Sequence, residues 1–225
     1  MKSGSAGAGA FRRICGIDES GRGPVLGPLV IAAVVVPAEL CQSLRDMGVR
    51  DSKTLSSSKR ASLYAFLSSH ADIVCASTHI SSQEIDLRRR RSESLNDIEA
   101  SAMLVLARRL HRQAGFDLLQ LDSVESNAER FVQPFRASLA VPVVAECGAD
   151  ATFVAVSAAS VVAKVERDGA VAELERAEGR SLGSGYPADP ATKEFLTQFF
   201  KTHGCLPAYI RHSWNIKKSS YSSSS

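Results

Sequence analysis

Two runs that read as strands, 11–18 and 26–36, the second rich in Val and Ile, constrain the fold of this chain more than any other feature. Valine and isoleucine lose side-chain freedom in helices and pack well on a pleated surface. The second run stops at Pro37, which cannot donate to a sheet ladder. The pattern predicts two strands over these residues, joined by Ser20-Gly21-Arg22-Gly23-Pro24. Residues 72–80, 117–122 (DLLQLD) and 141–147 (VPVVAEC) read as three more strands. Helical periodicity fills the gaps between them. From Ser56, Leu63, Phe66 and Leu67 share one face; over 94–113, Leu95, Ile98, Ala102 and Val105 form one stripe. Gly115 stands where a C-cap glycine belongs. A small-residue helix is expected from Ser157 into the 170s, and another over 191–202. Strands alternating with helices predict an α/β chain whose sheet is packed by helices. With no repeat and no long linker, residues 11–216 read as one domain between a Gly/Ala/Ser-rich tail, 1–10, and a Ser-rich tail, 217–225.

Composition excludes several function classes. The longest apolar run is too short to span a membrane and contains Gly27 and Pro28, so no membrane partner is expected. The N-terminus has no apolar core of a secretory signal; its acid-free, Arg-containing character admits an organellar presequence, but a flexible tail is the preferred reading. Five cysteines are widely spaced with no CxxC pair, which excludes a zinc ribbon or thioredoxin motif; buried reduced thiols in an intracellular protein are expected. A net charge of +3 permits a nucleic-acid partner without arguing for one. The cluster Arg88-Arg89-Arg90-Arg91 reads as a solvated loop before a helix, in preference to a phosphate contact.

The stretch ICGIDESGRGPVLGPLV, residues 14–30, admits two chemical readings. A dinucleotide fingerprint needs a third glycine at the position of Leu26, and a helix where LVIAAVVV indicates a strand. No Gly-Lys-Ser/Thr closes a phosphate loop either. The other reading is an acidic metal site. Asp18, Glu19, Asp122 and Asp150 all end apolar strand runs or directly follow them. Any one acid alone reads as a turn residue or helix N-cap; four together do not. Consecutive strand residues face opposite ways, so Asp18 and Glu19 share one site only if the chain bends between or just after them. Neighbouring buried carboxylates repel and need a positive partner. Oxygen-only ligands suit Mg²⁺ or Mn²⁺ rather than Zn²⁺, and such sites serve phosphoryl transfer.

GIDESGRGPVLGPLV, DSKTLS (51–56), the LD at 121–122 and GADATFVAVSAASVVAKVERD (148–168) resemble ribonuclease HII, the type 2 ribonuclease H family, over residues 14–214. GSGYPADPATKEFL (183–196) and IRHSW (210–214) resemble its archaeal and eukaryotic branch, including the eukaryotic catalytic subunit. The resemblance implies a ribonuclease H-like fold: a central mixed sheet flanked by helices, with a helical C-terminal appendage. It implies an endonuclease that cuts RNA in RNA/DNA hybrids and cuts 5′ of a single ribonucleotide in duplex DNA, leaving 5′-phosphate and 3′-hydroxyl ends.

The resemblance carries the four family acids onto Asp18, Glu19, Asp122 and Asp150. It implies two Mg²⁺ or Mn²⁺ ions with substrate bound. One would be held by Asp18 and Asp150 to activate water. The other would lie on the leaving 3′-oxygen, held by Asp18, Asp122 or an oxygen of Glu19. Which acid serves which ion stays open. Gly21, Arg22 and Gly23 correspond to the loop that reads the 2′-hydroxyl, the group that separates RNA from DNA. Arg22 offers donors to a phosphate, with an ion pair to Asp18 or Glu19 as the alternative. Tyr186 corresponds to the tyrosine packed on the sugar next to the ribonucleotide. Ser52 and Lys53 are placed to meet phosphate or the acidic site, and Asp51 instead to cap the following helix. Lys164, Arg167 and Asp168 share one helix face, read as an ion-pair network ahead of substrate contact. His203 and His212 read as surface or packing residues.

The expected partners are RNA/DNA hybrid and ribonucleotide-containing duplex DNA. Archaeal relatives act as monomers, whereas the eukaryotic catalytic subunit needs two accessory subunits. The Ser-rich tail and the Ala- and Arg-rich character lean toward a eukaryotic source and a nuclear location; a prokaryotic source implies the cytoplasm. Two competing readings are a catalytically silent hybrid-binding or assembly subunit and another nuclease of the same fold. The four retained acids oppose the first. The GRG loop with Tyr186 opposes the second.

Overall fold

The computed structural model describes residues 11–49, 54–123, 125 and 127–214. Five strands, β1 (Arg13–Ser20), β2 (Leu29–Pro37), β3 (Val74–Ile80), β4 (Leu118–Asp122) and β5 (Val143–Glu146), form one sheet in the order β3-β2-β1-β4-β5. β1 and β3 both pair antiparallel with β2, whereas β4 runs parallel to β1 and β5 parallel to β4. The helices are α1 (Cys41–Asp46), α2 (Ser57–Ser69), α3 (Ser82–Arg90), α4 (Leu95–Ala114), α5 (Ala128–Ser138), α6 (Val154–Glu178) and α7 (Pro190–His203).

β2 explains the architecture. All nine of its residues are buried. Leu29, Ile31, Ala33 and Val35 point into a core shared with α4 and α5 residues such as Leu106 and Phe135. Val30, Ala32, Val34 and Val36 point into a second core against α2 and α6, with Leu63, Leu67 and Ala158. Period-two alternation thus feeds two helical layers from one strand, each fully buried Val or Ile contributing about 1.5–3 kcal/mol. α6 lies almost on β1. A Cβ on Gly16 would fall 2.0 Å from the Ala155 carbonyl carbon, which is why the start of α6 consists of Ala, Ser and Val. A third apolar cluster, with Val25, Leu26, Leu182, Phe195, Leu196 and Ile210, packs α7 and the C-terminal segment beside the loop after β1. This is the helical appendage.

The expected strands and helices all occur, with shifted ends. β2 begins at Leu29 rather than 26, because Leu26 leaves the sheet and bridges to Ile210. α6 begins at Val154, three residues before Ser157. α1, α3 and α5 had no sequence counterpart. The arginine cluster is a correction: Arg88, Arg89 and Arg90 form the last turn of α3, with Arg91 as its C-cap, not a loop. Cations suit that end of a helix dipole. Pro134 inside α5 disguised that helix. Ser56 caps α2 by accepting from Lys59 N, whereas Asp51, read as a possible cap, lies outside the described residues. Ser94 and Asp97 form a capping box on α4, and Gly115 (φ 65°) ends it as expected. The cysteines are all unpaired, but only Cys15 is buried; Cys147 and Cys205 are exposed. Among the described residues no helix is long and apolar enough to cross a membrane.

Candidate active site

The site grows from the parallel pairing of β1 with β4. Their register pairs Ile17 with Leu121, so Asp18, two residues before the end of β1, stands beside Asp122, the last residue of β4. Alternation puts Asp18 on the same face as Gly16, toward α6, where Ser160 hydrogen-bonds its carboxylate. The ladder runs unbroken through both β1 acids to Ser20, and the chain turns only at Gly21, with φ 96°. Glu19 N donates to Asp18 Oδ1 at 2.7 Å. One oxygen from each of Asp18, Glu19 and Asp122 nevertheless lies within 4.8 Å of the others.

These three acids are mutually destabilising. Burial pushes the Asp18 carboxyl well above the usual range, and the charges of Glu19 and Asp122 push it further; bonds from Ser160 and Glu19 N–H partly oppose this. Burial and the Asp122 charge raise Glu19, against the opposing pull of an Asp18 hydrogen bond and the Arg22 charge. Glu19 Oε2 is buried with no hydrogen-bond partner. Acceptor-only groups crowded together, with a lone pair left unused, call for a cation. Carboxylate oxygens fit a hard divalent ion.

Asp150 sits in a 3-10 turn, Ala149–Ala151, that leads into α6. It is buried at 4% exposure, but its oxygens do not join the 4.8 Å group. Its turn is tied to the group, because Ala149 N donates to Asp122 Oδ1 at 2.7 Å. Ser157 Oγ donates to the Asp150 carbonyl and holds the turn on α6.

The loop after β1 explains its own glycines. A Cβ on Gly21 would lie 2.6 Å from the Pro28 carbonyl oxygen and 2.7 Å from Arg167 Cδ. A Cβ on Gly23 would lie 2.9 Å from the Tyr186 ring. Tyr186 therefore packs on the loop while remaining 51% exposed. Arg22 pairs with neither Asp18 nor Glu19. Its Nη1 is in an ion pair with the fully buried Glu99, and its Nη2 donates to Asn96 Oδ1 at 2.5 Å. Glu19, Gly21, Gly23, Lys164 and Tyr186 line one cleft of about 600 Å³. On its wall Lys164 Nζ meets Asp168 at 2.6 Å and Arg167 Nη1 meets Asp168 at 3.8 Å, the expected network. Ser52 and Lys53 lie outside the described residues. His203 stacks on Phe199 with centroids 4.2 Å apart, and the exposed His212 donates its main-chain N–H to Asp86; neither joins the acids.

Sequence reasoning missed Glu99 and Asn96 because the α4 stripe was drawn through its apolar positions alone. Their i, i+3 spacing, which puts both on one side of the helix, was the available signal.

The family model for ribonuclease HII matches residues 15–217. A ribonuclease HII of Methanothermobacter thermautotrophicus is 40% identical over 205 residues, covering 90% of this chain and 96% of the relative. The crystal structure of the ribonuclease H2 from Pyrococcus horikoshii OT3 superposes with a TM-score of 0.84 at 36% identity, over 93% of this chain and 97% of that one. Bst-RNase HIII, solved in complex with Mn²⁺, shares the fold at a TM-score of 0.79 and 21% identity, over 92% of this chain and 68% of that one.

Proposed function

The chain belongs to the ribonuclease HII family and is an endoribonuclease that cleaves RNA in RNA/DNA hybrids, and we propose that Asp18, Glu19, Asp122 and Asp150 form its hydrolytic centre. We propose further that it cuts 5′ of single ribonucleotides embedded in duplex DNA, leaving 5′-phosphate and 3′-hydroxyl ends. The observation that carries this reading is the group of three carboxylates, Asp18 buried and Glu19 and Asp122 partly buried, whose oxygens lie within 4.8 Å of one another, with Asp150 in the turn hydrogen-bonded to Asp122.

The four acids would hold Mg²⁺ or Mn²⁺, whose chemistry when bound is activation of water and stabilisation of the leaving oxygen. The protein's own share is placement. β1 and β4 fix two acids at adjacent strand ends, and α6 fixes the turn of the fourth. Ser160 and Glu19 N–H hold Asp18 in one orientation. The GRG loop brings backbone close to the cleft, where a side chain at either glycine would collide. The exposed Tyr186 ring offers an apolar face to a sugar beside the scissile phosphate. Arg22 acts by holding the loop on α4 rather than by free contact with a phosphate, since Glu99 and Asn96 occupy its guanidinium. His203 and His212 lie apart from the acids, and metal-assisted hydrolysis needs no covalent enzyme intermediate.

The test incubates the purified chain with Mg²⁺ and duplex DNA carrying one ribonucleotide, beside an all-DNA duplex and the Asp18→Asn variant. A single cut 5′ of the ribonucleotide, absent from the control and lost in the variant, is expected. If the folded chain cuts only after two accessory subunits are added, it is the catalytic subunit of a larger assembly. If it cuts under neither condition, the proposed centre is wrong.

A further inference from the structure

Arg211 is the largest fully buried side chain among the described residues, and the acidic centre makes no use of it. Its guanidinium is committed to main-chain carbonyls. Nη1 donates to Arg22 O at 3.0 Å, and Nη2 donates to Gly21 O at 2.6 Å and Gly27 O at 3.1 Å. Trp214 stacks 4.9 Å from the same guanidinium, and its Nε1 donates to Gly23 O at 3.3 Å. The carbonyls of Gly21, Arg22 and Gly23 are thus all drawn toward one short segment, residues 210–214. That segment is itself pinned. Asp86 of α3 accepts from His212 N and Ser213 N at 2.8 Å each, and Arg211 N donates to Val25 O at 2.8 Å. Burial and the nearby Arg167 charge lower the Arg211 pKa to about 10, so it stays cationic at neutral pH.

In a trans peptide the C=O and N–H point opposite ways. There is no cis bond in the loop. With the Gly21 and Arg22 carbonyls turned toward Arg211, the N–H groups of Arg22 and Gly23 must point away from it. Neither N–H enters a main-chain hydrogen bond among the described residues. Neither Arg211 nor Trp214 lines the cleft that the loop borders.

We infer that Arg211 and Trp214 are positioning residues for ribonucleotide recognition: by drawing the carbonyls of Gly21, Arg22 and Gly23 to the C-terminal segment, they turn the loop's N–H donors toward the cleft, where a 2′-hydroxyl would be read. The inference rests on the proposed reading of single ribonucleotides. It assigns the C-terminal segment a role in substrate discrimination, distinct from its role in packing the appendage. A guanidinium suits the task because its planar fork serves several acceptors at once, which a lysine ammonium does not do in the same geometry.

The test uses the full chain and two variants. Trp214→Phe keeps an aromatic ring on Arg211 and removes only the donor to Gly23 O. Arg211→Lys keeps the charge and loses the fork. Each is assayed for kcat/KM on the single-ribonucleotide duplex, for affinity to an all-DNA duplex of the same sequence in EDTA, and for thermal unfolding. Removal of one neutral hydrogen bond is expected to lower kcat/KM of Trp214→Phe about three- to tenfold. The loss in Arg211→Lys should be larger. The all-DNA affinity, which involves no 2′-hydroxyl, should stay within about twofold of wild type in Trp214→Phe. Unchanged kcat/KM in both variants would overturn the inference. So would a parallel loss of all-DNA affinity in Trp214→Phe, which would mean general loosening. A wild-type chain that cleaves a continuous RNA/DNA hybrid but leaves the single-ribonucleotide duplex intact would instead refute the functional reading beneath it.

Discussion

Replacing Asp18 by Asn should abolish cleavage and, in the absence of divalent metal, stabilise the fold at neutral pH. Asp18 is 4% exposed, and one of its oxygens lies within 4.8 Å of oxygens of both Glu19 and Asp122. Two unit charges at that distance repel by about 3.5 kcal/mol at an effective dielectric constant of about 20, an upper limit because either group relieves the strain by binding a proton. Asn removes the charge but retains a carbonyl oxygen for Glu19 N. The weakened bonding around it costs about 1 kcal/mol. A net gain of about 1–2 kcal/mol is expected. The sign follows from linkage. The folded-state pKa of Asp18 is raised, so its protonated form belongs to the stable folded state at low pH. The wild type therefore loses stability as pH rises from the unfolded-state pKa, about 3.9, through the raised folded value. The variant has no such loss. Urea unfolding in EDTA at pH 4.5, 6 and 8 should show near-equal stabilities at the lowest pH and a widening advantage for Asp18→Asn above it. Added Mg²⁺ should stabilise the wild type more than the variant. A variant less stable than wild type at pH 8 in EDTA, or a gain independent of pH, would refute the electrostatic reasoning.

Gly16→Ala should destabilise the chain by more than about 3 kcal/mol, because its Cβ meets α6 backbone at 2.0 Å and neither element can retreat without opening a core; urea unfolding or loss of soluble protein would register it. Gly23→Ala should leave the fold intact but displace the exposed Tyr186 ring, lowering kcat/KM on single-ribonucleotide duplex while near-UV circular dichroism and thermal unfolding stay close to wild type. Glu99→Ala strands Arg22 without its buried partner; since Arg22 is 38% exposed and can turn to water, the expected cost is about 2 kcal/mol, below the usual range for fully buried pairs, with raised hydrogen exchange in the loop. Ser94→Ala removes the capping box of α4 and should cost about 1 kcal/mol in thermal unfolding with no change in cleavage.

Long or strongly patterned elements were legible from the chain alone. β2 announces itself as an uninterrupted apolar run rich in Val and Ile and closed by proline, and α4 as a stripe bounded by Ser94 and Gly115. The short helices were not. α1 has six residues, α3 ends in consecutive arginines and α5 contains Pro134, so their stability comes from packing rather than from local preference. The arginine cluster shows the difference well: as a charge run it reads as loop, yet its position at a helix C-terminus satisfies the dipole.

Residue types and order in the sequence determined the inventory of the candidate site: four acids ending or following strand runs, two glycines around an arginine, and a tyrosine far along the chain. Only the tertiary structure decided which of them meet. Strand register put Asp18 beside Asp122, and drew three acids into one group while leaving Asp150 in the adjoining turn. It also gave Arg22 to Glu99 and Asn96, and recruited Arg211 from 190 positions beyond Gly21 to hold the loop. The reason is physical. Which side chains carry charge or fit a turn is a local property, read from one residue and its neighbours. Which charges share a buried space depends on how separate segments pack, and that is written in no single segment.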